Sequence, residues 1–226
     1  ARFLRRALTK PDALDASYRG WHALYSGDGK QGIREAQRLF EMVMQVEPAA
    51  SIGYASAALA YWAEAGFGRV PPPSPAMDRA EALAHRALEL GDSSGYAYLI
   101  LALSHLSRHE FDAAMSMATE GVTARPSCNG AYAIKSCVLN FLGRPAEAIE
   151  YARFAVRLTP VYPAEFPAIL ATAYHDSDRH EEAIEAARAS LKLRPDDIDP
   201  MLILAASLVA SNRPDEAKKV ASRILK

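Results

Sequence analysis

Several side chains sit at spacings that invite chemistry. His105 and His109 are four residues apart, close enough on one helix face to share a metal ion. No second pair of ligands recurs elsewhere, so both read as ordinary core or surface histidines. His175-Asp176 with His180 has the look of a charge pair, but it straddles a turn and lacks a positioned serine or cysteine nucleophile. Glu181-Glu182 and Asp196-Asp197 are adjacent carboxylates, as acid–base machinery would need. At helix starts, however, they complement the dipole, and they read as capping. The thiols Cys128 and Cys137, nine residues apart, fit neither a disulfide framework nor a zinc pattern and are expected to be reduced and buried. The turn Ser26-Gly27-Asp28-Gly29 lacks the Gly-Lys-Ser/Thr of a phosphate loop. The expectation is that these residues hold no catalytic site, no cofactor and no metal.

Composition narrows the classes that remain. The 226 residues are 50% hydrophobic and 23% charged, enough for an ordered core. Lys plus Arg is 26 against 27 Asp plus Glu, so nucleic-acid binding, which needs a basic stripe, is not expected. The cluster Arg2, Arg5, Arg6 and Lys10 is too short to alter that. No apolar run reaches 18 residues, no signal peptide is visible and no Asn-x-Ser/Thr acceptor occurs. The expected compartment is the cytoplasm, with no membrane contact. Because the chain opens with Ala-Arg-Phe-Leu, it is expected to be a piece of something longer.

The positioning elements emerge from a repeat. Ala114, Ala148, Ala183 and Ala217 follow one another at spacings of 34, 35 and 34 residues. Four residues after each comes Ala118, Ala152, Ala187 and Ala221, and twelve after the first three comes Pro126, Pro160 and Pro195. Ala36, Phe40 and Pro48 fit the same frame, as do Ala80, Ala84 and Asp92, where an aspartate replaces the proline. Small residues recur because paired helices must approach backbone to backbone, and proline ends the second helix of each pair. Pro145 and Pro214 suit the first turn of a helix, Ser74-Pro75 gives an N-cap then proline, and Asn212 and Asp178 supply turns.

This pattern resembles the tetratricopeptide repeat, whose units stack because one alone cannot bury its apolar face. The resemblance implies an all-α, right-handed α-solenoid of about six helix pairs, some twelve helices. The repeats fall at 15–48, 49–92, 93–126, 127–160, 161–195 and 196–226, after a leading segment 1–14 from an upstream domain. Gly20 would be the small crossing residue of the first, and Gly66 to Pro75 is an insertion in the second, a stiff loop or a polyproline arm. In the family the first helix of each pair lines an inner groove where partners lie. Carried across, that gives Leu59, Trp62, Leu99, Leu103, Leu106, Ala133, Cys137, Asn140, Phe141, Thr172, His175, Asp176, Leu202 and Val209. A largely apolar stripe marks a protein- or peptide-binding site. The clamp for chaperone tails needs several Lys, Arg and Asn there, and only Asn140 fits.

Two finer expectations complete the reading. Leu8-Thr9-Lys10-Pro11, Leu14 to Gly20 and Glu35 to Glu41 with Glu47-Pro48 resemble the junction into the C-terminal repeat regions of bacterial class III adenylate/guanylate cyclases or of winged-helix regulators. That resemblance implies a regulatory scaffold in a signalling protein whose catalytic domain lies upstream. The final helix, Ala217 to Lys226, lacks a polar capping helix, so either Lys218, Lys219, Arg223 and Lys226 keep its face wet or it packs on a second copy, as a homodimer, or on the rest of the parent protein.

Overall fold

The computed structural model describes residues 7–26, 29–65, 74–92, 94–158 and 164–225. Arg2, Arg5, Arg6, Gly27-Asp28, Gly66 to Pro73, Pro160 and Lys226 lie outside the described residues, and with them most of the proline-rich insertion. Among the described residues the chain is twelve α-helices without strand. They fall into two compact units, Ala1–Pro126 and Ser127–Lys226.

In the first unit the helices are α1 (Pro11–Ser26), α2 (Gly29–Val46), α3 (Ser51–Glu64), α4 (Pro75–Glu89), α5 (Tyr96–Ser107) and α6 (Phe111–Ala124). The second holds α7 (Asn129–Phe141), α8 (Pro145–Arg157), α9 (Glu165–His175), α10 (His180–Leu193), α11 (Ile198–Ala210) and α12 (Pro214–Ile224). Within each unit every helix packs on the next, and α3 also meets α5, α7 meets α9 and α9 meets α11. Within the first unit α3 and α5, and within the second α7, α9 and α11, therefore form an inner row, with the even-numbered helices as the outer ones. α5 and α11 are apolar nearly all round, whereas the outer helix α12 keeps one charged face.

The recurring alanines occupy equivalent places. Ala114, Ala148 and Ala183 are 0% exposed and Ala217 6%. Each is the fourth residue of its outer helix, and each N–H donates to the carbonyl just ahead of that helix: Glu110 at 2.9 Å, Arg144 at 3.1 Å, Arg179 at 3.0 Å and Arg213 at 3.2 Å. The turn before each is also repeated. His109, Gly143, Asp178 and Asn212 all have positive φ (60°, 67°, 57° and 57°), the left-handed conformation that ends an inner helix. The next N–H then reaches back to close the turn: Glu110 to His105, Arg144 to Leu139, Arg179 to Tyr174 and Arg213 to Leu208, at 2.8–2.9 Å.

Two local findings depart from the sequence reading. The first helix begins at Pro11 rather than at residue 15, so the stretch assigned to a leading segment is partly built into the array. Leu8 and Ala13 are buried, and Glu47 at the end of α2 accepts the N–H groups of Thr9 at 2.9 Å and Lys10 at 2.6 Å. Where proline is replaced, Asp92 takes over capping of α5: its carboxylate accepts from Ser94 N at 2.8 Å and Ala97 N at 3.2 Å.

Gly20 is where α1 crosses α2. A Cβ there would lie 2.6 Å from Phe40 Cε1, closer than packed atoms tolerate. Beside it, Trp21 sits edge-on to Phe40 at 5.5 Å and stacks on Tyr25 at 5.7 Å. Trp21 of α1 also reaches Tyr96 of α5, ring to ring at 5.1 Å.

Candidate functional site: the inner face of the second unit

The residues predicted to line a groove divide by unit. In the first, Trp62 is 2% exposed and belongs to the core with Leu59 and Leu106, so these three do not line a surface. Leu99 and Leu103 are half-buried against the same core. The alanines of α3 explain this: neighbours close over so small a helix and take the larger side chains inside.

In the second unit the register of the anchor alanines sets the inner side chains in rows across α7, α9 and α11. Counting back fifteen residues gives Ala133, Ala168 and Leu202; eleven gives Cys137, Thr172 and Ala206; eight gives Asn140, His175 and Val209; seven gives Phe141, Asp176 and Ala210. Phe141 is 64% exposed, Leu202 52% and Val209 61%, and Asp176, Ala206 and Ala210 are exposed too. Cys137, Asn140, Thr172 and His175 are half-buried and Ala133 is buried. Sequence reasoning missed Ala206, which the eleven-residue offset would have found. It also missed the exposed Tyr25 on Trp21, signalled by two aromatics four apart.

Several of these side chains tie one inner helix to the next. Asn140 Nδ2 of α7 donates to the Ile169 carbonyl of α9 at 3.1 Å, and His175 Nδ1 of α9 meets Ser207 Oγ of α11 at 2.9 Å. Both occupy the eight-back row, which thus bridges successive inner helices. Thr172 Oγ1 donates within α9 to the Ala168 carbonyl at 3.2 Å. Burial pushes the Cys137 thiol up to about 12, so it stays protonated and unreactive at neutral pH.

Charge is segregated between the rows of helices. Lys135 is the sole lysine or arginine within α7, α9 and α11, and its ammonium lies over the Tyr151 ring at 4.8 Å. The acids of this face are Glu165, paired with Arg194, the exposed Asp199, and Asp176, which makes no ion pair among the described residues. The outer helices carry the other cations, many held in pairs: Arg144–Glu147, Arg179–Glu182 and Arg213–Glu216, with Arg188 reaching Glu216 and Arg213 reaching Glu181. Each arginine keeps Glu147, Glu182 and Glu216 below the usual carboxylate range, chiefly through its hydrogen bond.

The residues that first invited chemistry are dispersed. His105 Nδ1 meets Glu110 at 2.6 Å, while the His109 ring sits edge-on to Phe111 at 5.8 Å in its turn. His175 and His180 lie 5.2 Å apart, ring to ring, with His180 Nε2 at 3.7 Å from Asp178. Among the described residues no group of three or more metal-ligating side chains converges. In the first unit a recess of about 480 Å³ is walled by Glu41, Tyr54, Arg79 and Arg86. Its groups are engaged: Glu41 accepts from Tyr61 at 2.6 Å, Arg86 pairs with Glu89, and Arg79 lies over the Tyr61 ring. No described helix is long and apolar enough to cross a membrane.

A row of helix pairs with an open, apolar inner face defines a helical-repeat protein. Tetratricopeptide-repeat family models match residues 139–198 and 174–226, and the fold is the tetratricopeptide-repeat fold, whose members generally serve protein–protein interaction and are typically non-catalytic. No curated protein matches the sequence significantly. Among solved structures, the human IFIT1 dimer with m7Gppp-AAAA is similar at a TM-score of 0.76 and 16% identity, over 96% of this chain and 50% of that one. The chain thus spans about half the length of that structure. TTC0263, a thermophilic TPR protein in Thermus thermophilus, is similar at 0.64 and 17% identity over 87% and 99%. The APC/C hetero-tetramer Cut9–Hcn1 gives 0.72 and 19% identity over 95% and 40%. At such identities the likeness is one of fold.

Proposed function

We propose that this chain is a scaffolding module that holds a protein or peptide partner on the inner face of its second unit. The observation that carries the reading is the exposure of Phe141, Leu202 and Val209 on inner helices that are otherwise packed. Water-exposed apolar side chains gathered on one face favour an apolar partner. Inner helices with one lysine, already on a tyrosine ring, favour protein over nucleic acid, whose phosphates need arginine and lysine. Cut9–Hcn1 is a precedent for a protein partner on this fold, and the IFIT1 dimer for self-association. Attachment to a bacterial signalling protein such as an adenylate cyclase, or to a winged-helix regulator, rests on the resemblance of residues 8–20 and 35–48. The proteins named above include no cyclase.

Selection of peptides from a random display library on the full chain tests the reading. Binders should lose most of their affinity for Leu202→Ser/Val209→Ser, whose circular dichroism should match the parent because both side chains are exposed. Peptides that hold the double variant equally well would refute it.

A further inference from the structure

We infer that the outer side of the first unit holds an acidic peptide segment, with Arg79 and Arg86 of α4 taking its carboxylates; this site is separate from the inner face of the second unit. Register shows Arg79 to be a departure. The residue just before the anchor alanine is Glu35, Glu147, Glu182 and Glu216 in four repeats and Ala113 in the third. Each of those glutamates is held by an arginine three residues away: Arg38, Arg144, Arg179 and Arg213. In the second repeat the position carries Arg79, and the places three residues to either side are Ala76 and Ala82. Arg79 is exposed, forms no ion pair among the described residues, and lies 6.0 Å from the centre of the Tyr61 ring. At this one place the charge is reversed and left without a counter-ion.

That place is one wall of the recess of about 480 Å³, which α2, α3 and α4 line together. Arg79 and Arg86 stand seven residues apart on α4, about 10 Å along its axis. Three residues of extended chain cover the same distance. Between the two arginines, buried Leu83 and half-buried Met44 and Tyr54 supply apolar surface. The segment that fits carries Asp or Glu three residues apart, with an apolar residue between them. The acids nearby leave the site open. Glu41 is turned to Tyr61, whose hydroxyl donates to it at 2.6 Å, and Asp78 lies outside the lining. Glu89 holds Arg86 at 2.7 Å, but both are at least half exposed, and such a pair contributes little and exchanges readily. Two arginines among three acids make too short a cationic run for a nucleic-acid backbone, whose affinity grows with each phosphate neutralised. An acidic side chain meets complementary charge here.

Three short fluorescein-labelled peptides decide the matter by anisotropy with the full chain. They share a central leucine and differ in carrying Glu-Leu-Ser-Glu, Gln-Leu-Ser-Gln or Lys-Leu-Ser-Lys. The glutamate peptide should bind at least tenfold tighter than the glutamine peptide and weaken with added salt. Arg79→Glu installs the residue that four other repeats carry at this position, so its circular dichroism and melting should match the parent. In that variant the glutamate peptide should lose at least tenfold and the lysine peptide should gain. Arg79→Gln, which removes the charge without reversing it, should fall between. Leu202→Ser/Val209→Ser should leave the glutamate peptide bound as before. Equal binding of the glutamate and glutamine peptides, or no binding of either, overturns the inference. So does a glutamate peptide indifferent to Arg79→Glu, and loss on the serine variant would move that peptide to the inner face. A labelled single-stranded oligonucleotide that outcompetes the peptide through Arg79 would assign the recess to nucleic acid and overturn the inference as well.

Discussion

Gly20→Ala puts the packing argument at risk, because two effects of known sign oppose each other. In the interior of a helix, alanine is favoured over glycine by up to about 1 kcal/mol. Against this, the new Cβ would stand 2.6 Å from Phe40 Cε1 and 3.0 Å from Cδ1 and Cζ. Carbon atoms are comfortable at about 3.5–4.0 Å, so the ring must retreat by roughly 1 Å. It has no room to do so, since Phe40 is 0% exposed and lies edge-on to Trp21. Overfilling a packed core costs about 1–3 kcal/mol, so even after the full helix-propensity gain the net loss reaches about 2 kcal/mol. Urea unfolding followed by tryptophan fluorescence, with Trp21 beside the perturbation, should show a lower midpoint. In a Phe40→Leu background the clash is relieved, and the same substitution should become neutral or stabilising. A midpoint for Gly20→Ala at or above that of the parent would show that α1 and α2 do not cross tightly at Gly20.

Other outcomes follow from the same structure. Gly143→Ala places a side chain at φ +67°, and should cost about 1 kcal/mol in thermal unfolding. His109→Gly removes a side chain from φ +60° and should leave stability unchanged or raise it by up to about 1 kcal/mol in the same assay. The carboxyls of Glu147, Glu182 and Glu216 are depressed in the folded chain, so their stabilisation is present above the ordinary carboxylate value and lost as pH falls through the folded value. Melting temperature should therefore drop from about pH 4.5 downward, and Arg144→Gln/Arg179→Gln/Arg213→Gln should flatten that slope. Cys137, with its thiol near 12, should resist a thiol reagent at pH 8 in the folded chain and react once urea is added.

The frame of the fold was legible because it depends on side-chain size at fixed intervals. Ala114, Ala148, Ala183 and Ala217 could be anchors only if helix pairs touched there, and each is buried at the same place in its helix. The turns at Asp178 and Asn212 were legible from residues that tolerate left-handed backbone, whereas His109 filled that role without the usual signal. Exposure was harder to read. Register gave Trp62 and Val209 the same inner assignment, yet Trp62 is buried and Val209 open, because exposure depends on the bulk of neighbouring helices. The start of α1 was obscured by Thr9 and Lys10, whose attachment to Glu47 is a contact across nearly forty residues.

The ring contact between Trp21 and Tyr96 alters how the first unit should come apart. Repeat arrays ordinarily behave as a chain of nearest neighbours, and end units fray on their own. Here the opening helix pair is fastened to the third pair over the top of the second. Loss of the first pair would strip a neighbour two places along, so melting should spread through the six helices of this unit together instead of pair by pair.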